Sequence, residues 1–464
     1  MMDVYRCVEQ FLKDLDEHNY RLHGLSVIQQ GEVLYESTAA PYLPDTPHRL
    51  FSTAKSLYVL DVLYAIQEGF LRPEDRIAPL FPEFQVSDPG LLQMTLDDLL
   101  TMRTGQEGDP FPALFENPDA DLVRMFFETP VTDEKPGLKF RYNNTVPSVI
   151  LAVVEKATGE PIASWQDRHL TKTLNAPLFA PFNGIGQYNP VITCASLRTL
   201  TEYARFFVNE GRIGDRQLIQ KDLFRRAVAD HLLPDRLENG DGYGWQIWHN
   251  PYGGYRMDGG WGQMVFVVPE TRSAVSVLSD MTDYSAVVEA YRKHFLPFLR
   301  EGNLTAGDNA PPLRSLAPQG DAAPDPGLNH SAWRMEDGTE IHFSFDDTHV
   351  AWVVNSQGKQ IVRQAGLHGA FESSSGYTPR PFSIDYTVIA NDPATVLMSA
   401  AWIKPDTLRV VGKCMAEMGE HFCEFEFGST RCRMRQTVRC IHGIAERQPD
   451  QWQEVMMCRI PNDC

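Results

Sequence analysis

A chain of 464 residues has room for two or more domains of about 100–200 residues each. Hydrophobic residues make up 43% and charged residues 22%, which excludes a fibrous or wholly disordered chain. The 61 acidic against 42 basic residues leave a net charge of −19, so neither nucleic acid nor an anionic membrane is expected as a partner.

The N-terminus, Met1 to Gln10, has no basic stretch followed by an apolar one, and no run approaches the roughly 18 apolar residues that span a bilayer. A cytoplasmic location is the expectation. Val4 to about Asn19 has the spacing of an amphipathic helix. Gly24 to Ile28 and Glu32 to Glu36, joined at Gln30-Gly31, read as an antiparallel hairpin. From Ser52 to Gln67 apolar residues recur at helical spacing, with Gly69 as a stop. Thr95-Leu96-Asp97-Asp98 is a capping-box pattern, and it predicts a helix ending at Gly105. A further helix is predicted from Val146 to Gly159. Met264 to Val268 and Ala274 to Leu278 are continuous apolar runs around a Pro-Glu-Thr-Arg turn, as in central strands of one sheet.

Between about Glu301 and Gly327 the chain turns rich in Pro, Gly, Ala and Asp and loses periodicity. The expected division is therefore a domain over 1–300, a linker over 301–327 and a domain over 328–464. The last region carries short β-type segments at close intervals: Ile341–Phe345, Val350–Val354, Thr395–Met398, Leu408–Val411 and Phe422–Phe427. They predict an antiparallel barrel or sandwich. Six of the 8 cysteines crowd this end, at 414, 423, 432, 440, 458 and 464. None forms Cys-x-x-Cys, so free thiols are expected rather than zinc or disulfides. The 13 histidines show no close metal spacing, and no phosphate loop or Gly-x-Ser-x-Gly elbow occurs. Neither a metal nor another cofactor is expected.

The chemistry concentrates in three places. In Phe51-Ser52-Thr53-Ala54-Lys55 the spacing puts Ser52 and Lys55 one turn apart on one helix face. The hydroxyl then lies at a helix N-terminus, where unpaired N–H groups and the dipole favour an oxyanion. A serine hydroxyl needs a base, and Lys55 is either that base or a fixed cation beside another one. The bland alternative is a capping serine with a surface lysine. In Tyr142-Asn143-Asn144 a loop can present Tyr142 and Asn144 to one side, or else supply only a turn tyrosine and a helix cap. In Arg256 to Gln263, glycines precede a strand and permit a ligand's close approach, or merely form a turn. Trp245, Trp248 and Trp261 cluster near this element as core or as an apolar subsite.

These elements, in this order, resemble the serine β-lactamase and penicillin-binding protein superfamily, most closely its class C-related branch of esterases, amidases and D-aminopeptidases. The resemblance covers roughly 5–300. It includes His23 to Val27, Leu50 to Lys55, Met94 to Gly105, Pro136 to Asn144 and Gly259 to Pro269. It implies an α+β fold: an antiparallel sheet flanked by helices plus a helical lobe. The tail is similar to the lipocalin-like barrel of some relatives. It further implies Ser52 as acylated nucleophile, Lys55 as its proton acceptor or as the cation holding Tyr142 as phenolate, and Tyr142 as general base. Asn144, Asp258, Gly259, Gly260 and Trp261 would line the substrate, with an oxyanion hole between the N–H groups of Ser52 and a residue near Gly260. The sequence departs from the family where a lysine or histidine should stand beside the site. Met257 or Asp258 takes that place, which disfavours an anionic β-lactam and suits an ammonium. The expected activity is cleavage of an ester, amide or D-aminoacyl peptide, so the partner is a small molecule or short peptide. The alternatives are a silent ligand-binding relative and a true β-lactamase or cell-wall carboxypeptidase.

Overall fold

The computed structural model describes residues 2–17, 22–132, 135–180, 183–187, 192–281, 285–307, 309–356, 358–374, 396–414, 419–440 and 453–461. The chain divides into two compact units, one comprising 1–38 and 44–313, the other 39–43 and 314–464.

The first unit is built on a seven-stranded antiparallel sheet. Its strands are β1 (Leu22–Gln29), β2 (Glu32–Thr38), β3 (Gly242–Tyr243), β4 (Trp248–His249), β5 (Tyr255–Gly259), β6 (Gln263–Val268) and β7 (Ser273–Ser279), in the order β2-β1-β7-β6-β5-β4-β3. Strands β1, β6 and β7 are buried at every position because helices cover both faces. That accounts for their continuous apolar runs. On one face lie α1 (Val4–Glu17) and α5 (Ser285–His294), with Tyr291 stacked on Phe266 at 3.9 Å and Phe11 against Phe295 at 5.1 Å. The other face carries α2 (Thr53–Gln67) and α4 (Leu197–Val208), and α3 (Val146–Thr158) packs on α2.

Helix α2 is buried from Thr53 to Ala65, all the way round. A helix with no wet face belongs in a core, so each of its polar side chains must find a partner there. Ser56 Oγ donates to the Gln246 carbonyl at 2.6 Å, and Gln166 Nε2 donates to Asp61 Oδ2 at 2.7 Å. Burial pushes the Asp61 carboxyl up to about 8 against the pull of that bond. Gly159 closes α3 in the left-handed region at φ +68°.

The capping box at Thr95 forms as expected, with Thr95 Oγ1 accepting from the Asp98 N–H and Asp98 Oδ2 from the Thr95 N–H. Its helix ends at Leu100, not Gly105. Met102 turns left-handed at φ +55°, and the Arg103 carbonyl accepts from the Gly137 N–H at 2.8 Å. The segment after Leu100 thus holds the loop that precedes Tyr142.

The second unit holds a closed nine-stranded barrel. Its strands are β8 (Ala332–Arg334), β9 (Glu340–Phe345), β10 (His349–Ser356), β11 (Lys359–Gly366), β13 (Val396–Lys404), β14 (Thr407–Cys414), β15 (Gly419–Phe427), β16 (Arg431–Cys440) and β17 (Gln453–Ile460); β12 (Glu372–Ser374) is a side strand on β13. The order runs β11-β10-β9-β8-β17-β16-β15-β14-β13, and Gly366 paired with Ser399 closes the ring. Alternate residues point inward. Trp333, Phe343, Trp352, Trp402, Phe425 and Phe427 fill the interior, with Phe343 and Phe425 edge-to-face at 4.9 Å. Of the cysteines described, Cys7, Cys194, Cys423, Cys432 and Cys458 are free thiols. The expected strand at Thr395 begins at Val396, since Thr395 lies outside the described residues. No helix among them is long and apolar enough to cross a membrane.

Candidate active site

Ser52 is the N-cap of α2, yet its side chain makes no capping bond, so the hydroxyl is left for other use. Phe51 before it is held at φ +51°, a strained conformation for a bulky residue. It is wedged between the Arg49 guanidinium, 5.6 Å from its ring, and the edge of Trp261 at 6.5 Å. The strain fixes the turn that carries Ser52.

Lys55 Nζ donates to Ser52 Oγ at 2.7 Å and to Asn144 Oδ1 at 3.1 Å. It also lies 4.9 Å from the centre of the Tyr142 ring. Only 8% of Lys55 is exposed, so these bonds act where water screens them little. The structure therefore brings Ser52, Lys55, Tyr142 and Asn144 together. The Tyr-Asn-Asn run divides its labour. Asn143 Oδ1 accepts from the N–H groups of Thr145 and Val146 at the start of α3, which leaves Asn144 for Lys55. Tyr142 stacks on Trp248 at 5.6 Å, with Tyr243 edge-on at 6.4 Å.

Sequence reasoning missed Asp109. Its Oδ2 accepts from Asn144 N at 2.7 Å and Asn144 Nδ2 at 3.2 Å; its Oδ1 accepts from Thr145 N at 3.2 Å and Thr145 Oγ1 at 2.7 Å. The amide of Asn144 is thereby oriented with its oxygen toward Lys55. The only sequence trace of this role is Gly108-Asp109-Pro110, a turn motif with no spacing to Asn144 that a linear reading could use.

Strand β5 alternates, and the alternation sorts the remaining candidates. Met257 and Gly259 face α2. Met257 is fully buried and occupies the position where a cation was expected. A Cβ on Gly259 would fall 2.4 Å from the Leu50 carbonyl oxygen and 2.6 Å from Thr53 Oγ1. The space its missing side chain leaves is therefore taken by the protein's own helix start, not by a ligand as the sequence suggested. Gly260 and Trp261 follow beside Phe51, and Trp261 adopts φ +66°. Asp258 does not stand beside Ser52. It points to the opposite face with Arg256, whose Nε donates to its Oδ2 at 3.0 Å. Burial raises the Asp258 carboxyl above its ordinary range, against the pull of Arg256 and, more weakly, of Lys55. Trp245 is core, fully buried with its Nε1 donating to Asp97 at 2.9 Å. Among the described residues no three His, Cys, Asp or Glu side chains gather as a metal site.

The family model described as Beta-lactamase matches residues 6–295. The chain belongs to this family. Solved structures share the fold. An octameric penicillin-binding protein homologue from Pyrococcus abyssi is 14% identical, with a TM-score of 0.52 over 98% of this chain and 100% of its own. A protein assigned as a 6-aminohexanoate-dimer hydrolase from Bacillus anthracis is 16% identical, with a TM-score of 0.53 over 62% of this chain and 81% of its own. A penicillin-binding protein homologue from Caulobacter crescentus is 16% identical, with a TM-score of 0.50 over 62% and 98%. A search of curated proteins returned no match. Within the Beta-lactamase family match, the Ser52 turn, the Tyr142 loop and strand β5 all fall inside 6–295.

Proposed function

We propose that the chain is a serine hydrolase that cleaves an ester or amide through an acyl-enzyme on Ser52. The observation that carries this reading is the 2.7 Å bond between Lys55 Nζ and an uncapped Ser52 Oγ at the head of a buried helix. Ser52 Oγ attacks the substrate carbonyl carbon, and its proton passes to the Lys55–Tyr142 pair. The carbonyl oxygen gains the electron pair and rests between the Ser52 N–H and an N–H near Gly260. Collapse breaks the bond to the alcohol or amine, which leaves with that proton. Water then repeats the sequence and frees the acid. Asn144, held by Asp109, keeps Lys55 in place and meets the substrate. A buried Met257 in place of a cation disfavours the β-lactamase and carboxypeptidase alternative, because a substrate carboxylate finds no lysine or histidine there.

The test is intact-protein mass spectrometry after incubation with a fluorophosphonate. One adduct on the wild type, absent from Ser52→Ala, is expected, together with loss of ester turnover in the variant. An adduct that persists in Ser52→Ala overturns the reading. Nitrocefin hydrolysis as fast as that of simple esters would favour the β-lactamase alternative.

A further inference from the structure

A cavity of about 800 Å³ opens on the far face of β5, between that strand and α5. Its volume suits a ligand the size of a dipeptide. Trp248 lines it and also stacks on Tyr142, so the cavity adjoins the catalytic cluster. Asp258 and Arg256 line it as well, and Lys55 lies near enough for its charge to act on Asp258.

The charges in this cavity are already committed in a way that leaves one sign over. Arg256 Nε donates to Asp258 Oδ2 at 3.0 Å; Nη1 donates to Asn250 Oδ1 at 2.8 Å and to Asp241 Oδ1 at 3.2 Å; Nη2 donates to Asp241 Oδ2 at 3.0 Å. An incoming carboxylate would have to break these bonds to reach the guanidinium. Arg292 is paired with Glu289 at 2.8 Å and lies 5.1 Å from the Tyr252 ring, so that pair cancels. Two carboxylates on one guanidinium leave a net negative charge among the lining residues, and Lys55, which is not one of them, is bonded to Ser52 and Asn144. Asp258 Oδ1 accepts no hydrogen bond among the described residues, so it is the acceptor left for a ligand. The rings of Trp248 and Tyr252 are already covered by the guanidinium groups of Arg256 at 5.6 Å and Arg292 at 5.1 Å, so the recognition of a ligand's charge falls to Asp258.

We propose that this cavity is a recognition subsite for a primary ammonium group on the substrate, with Asp258 as the specificity-determining residue and Arg256–Asp241 as the brace that aims it. The inference rests on the reading of Ser52 as nucleophile and adds the substrate class: esters or amides that carry a protonated amine within reach of the scissile bond.

The experiment compares length-matched p-nitrophenyl esters of 6-aminohexanoic, heptanoic and adipic acid at a pH where the amine is charged. A second set carries the amine, a methyl group or a carboxylate on the leaving side. In one of the two sets, kcat/KM for the amine should exceed that for the neutral ester at least about tenfold, the scale of one partly desolvated charge pair. The anionic ester should be slowest. In Asp258→Asn, a near-isosteric change, the ratio of amine to neutral ester should fall to about one. Butylammonium should compete with the neutral ester on the wild type while butyrate does not, a readout that needs no variant. No amine preference in either set, or a preference that survives Asp258→Asn, overturns the inference. Labelling of Ser52 by the uncharged fluorophosphonate separates the two readings. A labelled enzyme without amine preference removes the subsite alone, whereas an unlabelled one removes the nucleophile.

Discussion

Asp109 offers the sharpest test of how the Ser52–Lys55 pair is held. In Asp109→Ala, three donors lose their acceptor: Asn144 N, Asn144 Nδ2 and Thr145 Oγ1. Thr145 N keeps Asn143 Oδ1 at 2.9 Å. Bonds to a carboxylate in a partly buried setting contribute about 1.5–3 kcal/mol each, but solvent reaches part of this loop, so a total loss of about 3 kcal/mol in folding stability is expected. The functional cost travels through one bond. Without Asp109 the Asn144 amide is free to turn, and Lys55 loses the acceptor at 3.1 Å. One such bond is a factor of about ten or more in the rate of Ser52 acylation. The assay is the rate of fluorophosphonate labelling, measured well below each variant's melting temperature. Thr145→Val is the control, because it removes the Asp109 bond that does not reach Asn144. It should lower stability while labelling stays within about twofold. Equal labelling by Asp109→Ala and wild type, or equal slowing in Thr145→Val, would refute the argument that Asp109 acts by aiming Asn144.

Two other expectations follow from the packing around α2. The folded state holds a proton on Asp61 up to about pH 8, whereas the unfolded chain gives it up near the ordinary carboxyl value of 3.8. The folded state therefore binds more protons across that window. Stability is fully present below the lower value and falls by up to about 1.4 kcal/mol per pH unit as pH rises toward 8. Asp61→Asn, which still accepts from Gln166, should flatten that slope in urea denaturation between pH 5 and 8; parallel slopes would show that Asp61 is not protonated in the fold. Gly259→Ala drives a Cβ to 2.4 Å from the Leu50 oxygen, so it should cost on the order of 3 kcal/mol and abolish labelling, whereas Gly260→Ala meets only Phe51 at 3.7 Å and should leave the melting temperature nearly unchanged.

Much of the first unit was legible because its signals are local. The Gln30-Gly31 turn fixes the β1–β2 hairpin, Gly159 ends α3, and the Thr95 capping box forms as written. What periodicity concealed was depth. Leu57, Leu60, Leu63 and Tyr64 suggest one apolar face on α2, yet the helix is buried all round, and Asp61 is the residue that betrays it. Barrel strands such as Lys359–Gly366 and Arg431–Cys440 were missed for the opposite reason. In Arg431–Cys440 the arginines at 431, 433 and 435 alternate with buried Cys432 and Met434, and in Lys359–Gly366 an exposed Val362 and a half-buried Arg363 blur the apolar alternation that marks a strand.

The site divides along the same line. Ser52 and Lys55 share one helical turn, so sequence spacing alone could place them side by side. Asp109 and Asn144 meet only because the loop after Leu100 folds back under α3, and no spacing encodes that. Asp258 shows the same limit from the other side. The resemblance places it among the residues that line the substrate without saying which way it faces, and strand alternation turns it to the far face, where it pairs with Arg256, which also holds Asp241. A missing cation and an added carboxylate are thus two separate facts of this chain. Met257 removes the attraction for an anion on the Ser52 face. Asp258 supplies a negative surplus in the neighbouring cavity. On the proposed reading they act on different parts of one substrate, so kcat/KM measured on the amine and carboxylate esters should show that Met257→Lys alone does not convert an amine preference into a carboxylate preference. That conversion requires Asp258→Asn as well, so that Arg256 is freed on its cavity side.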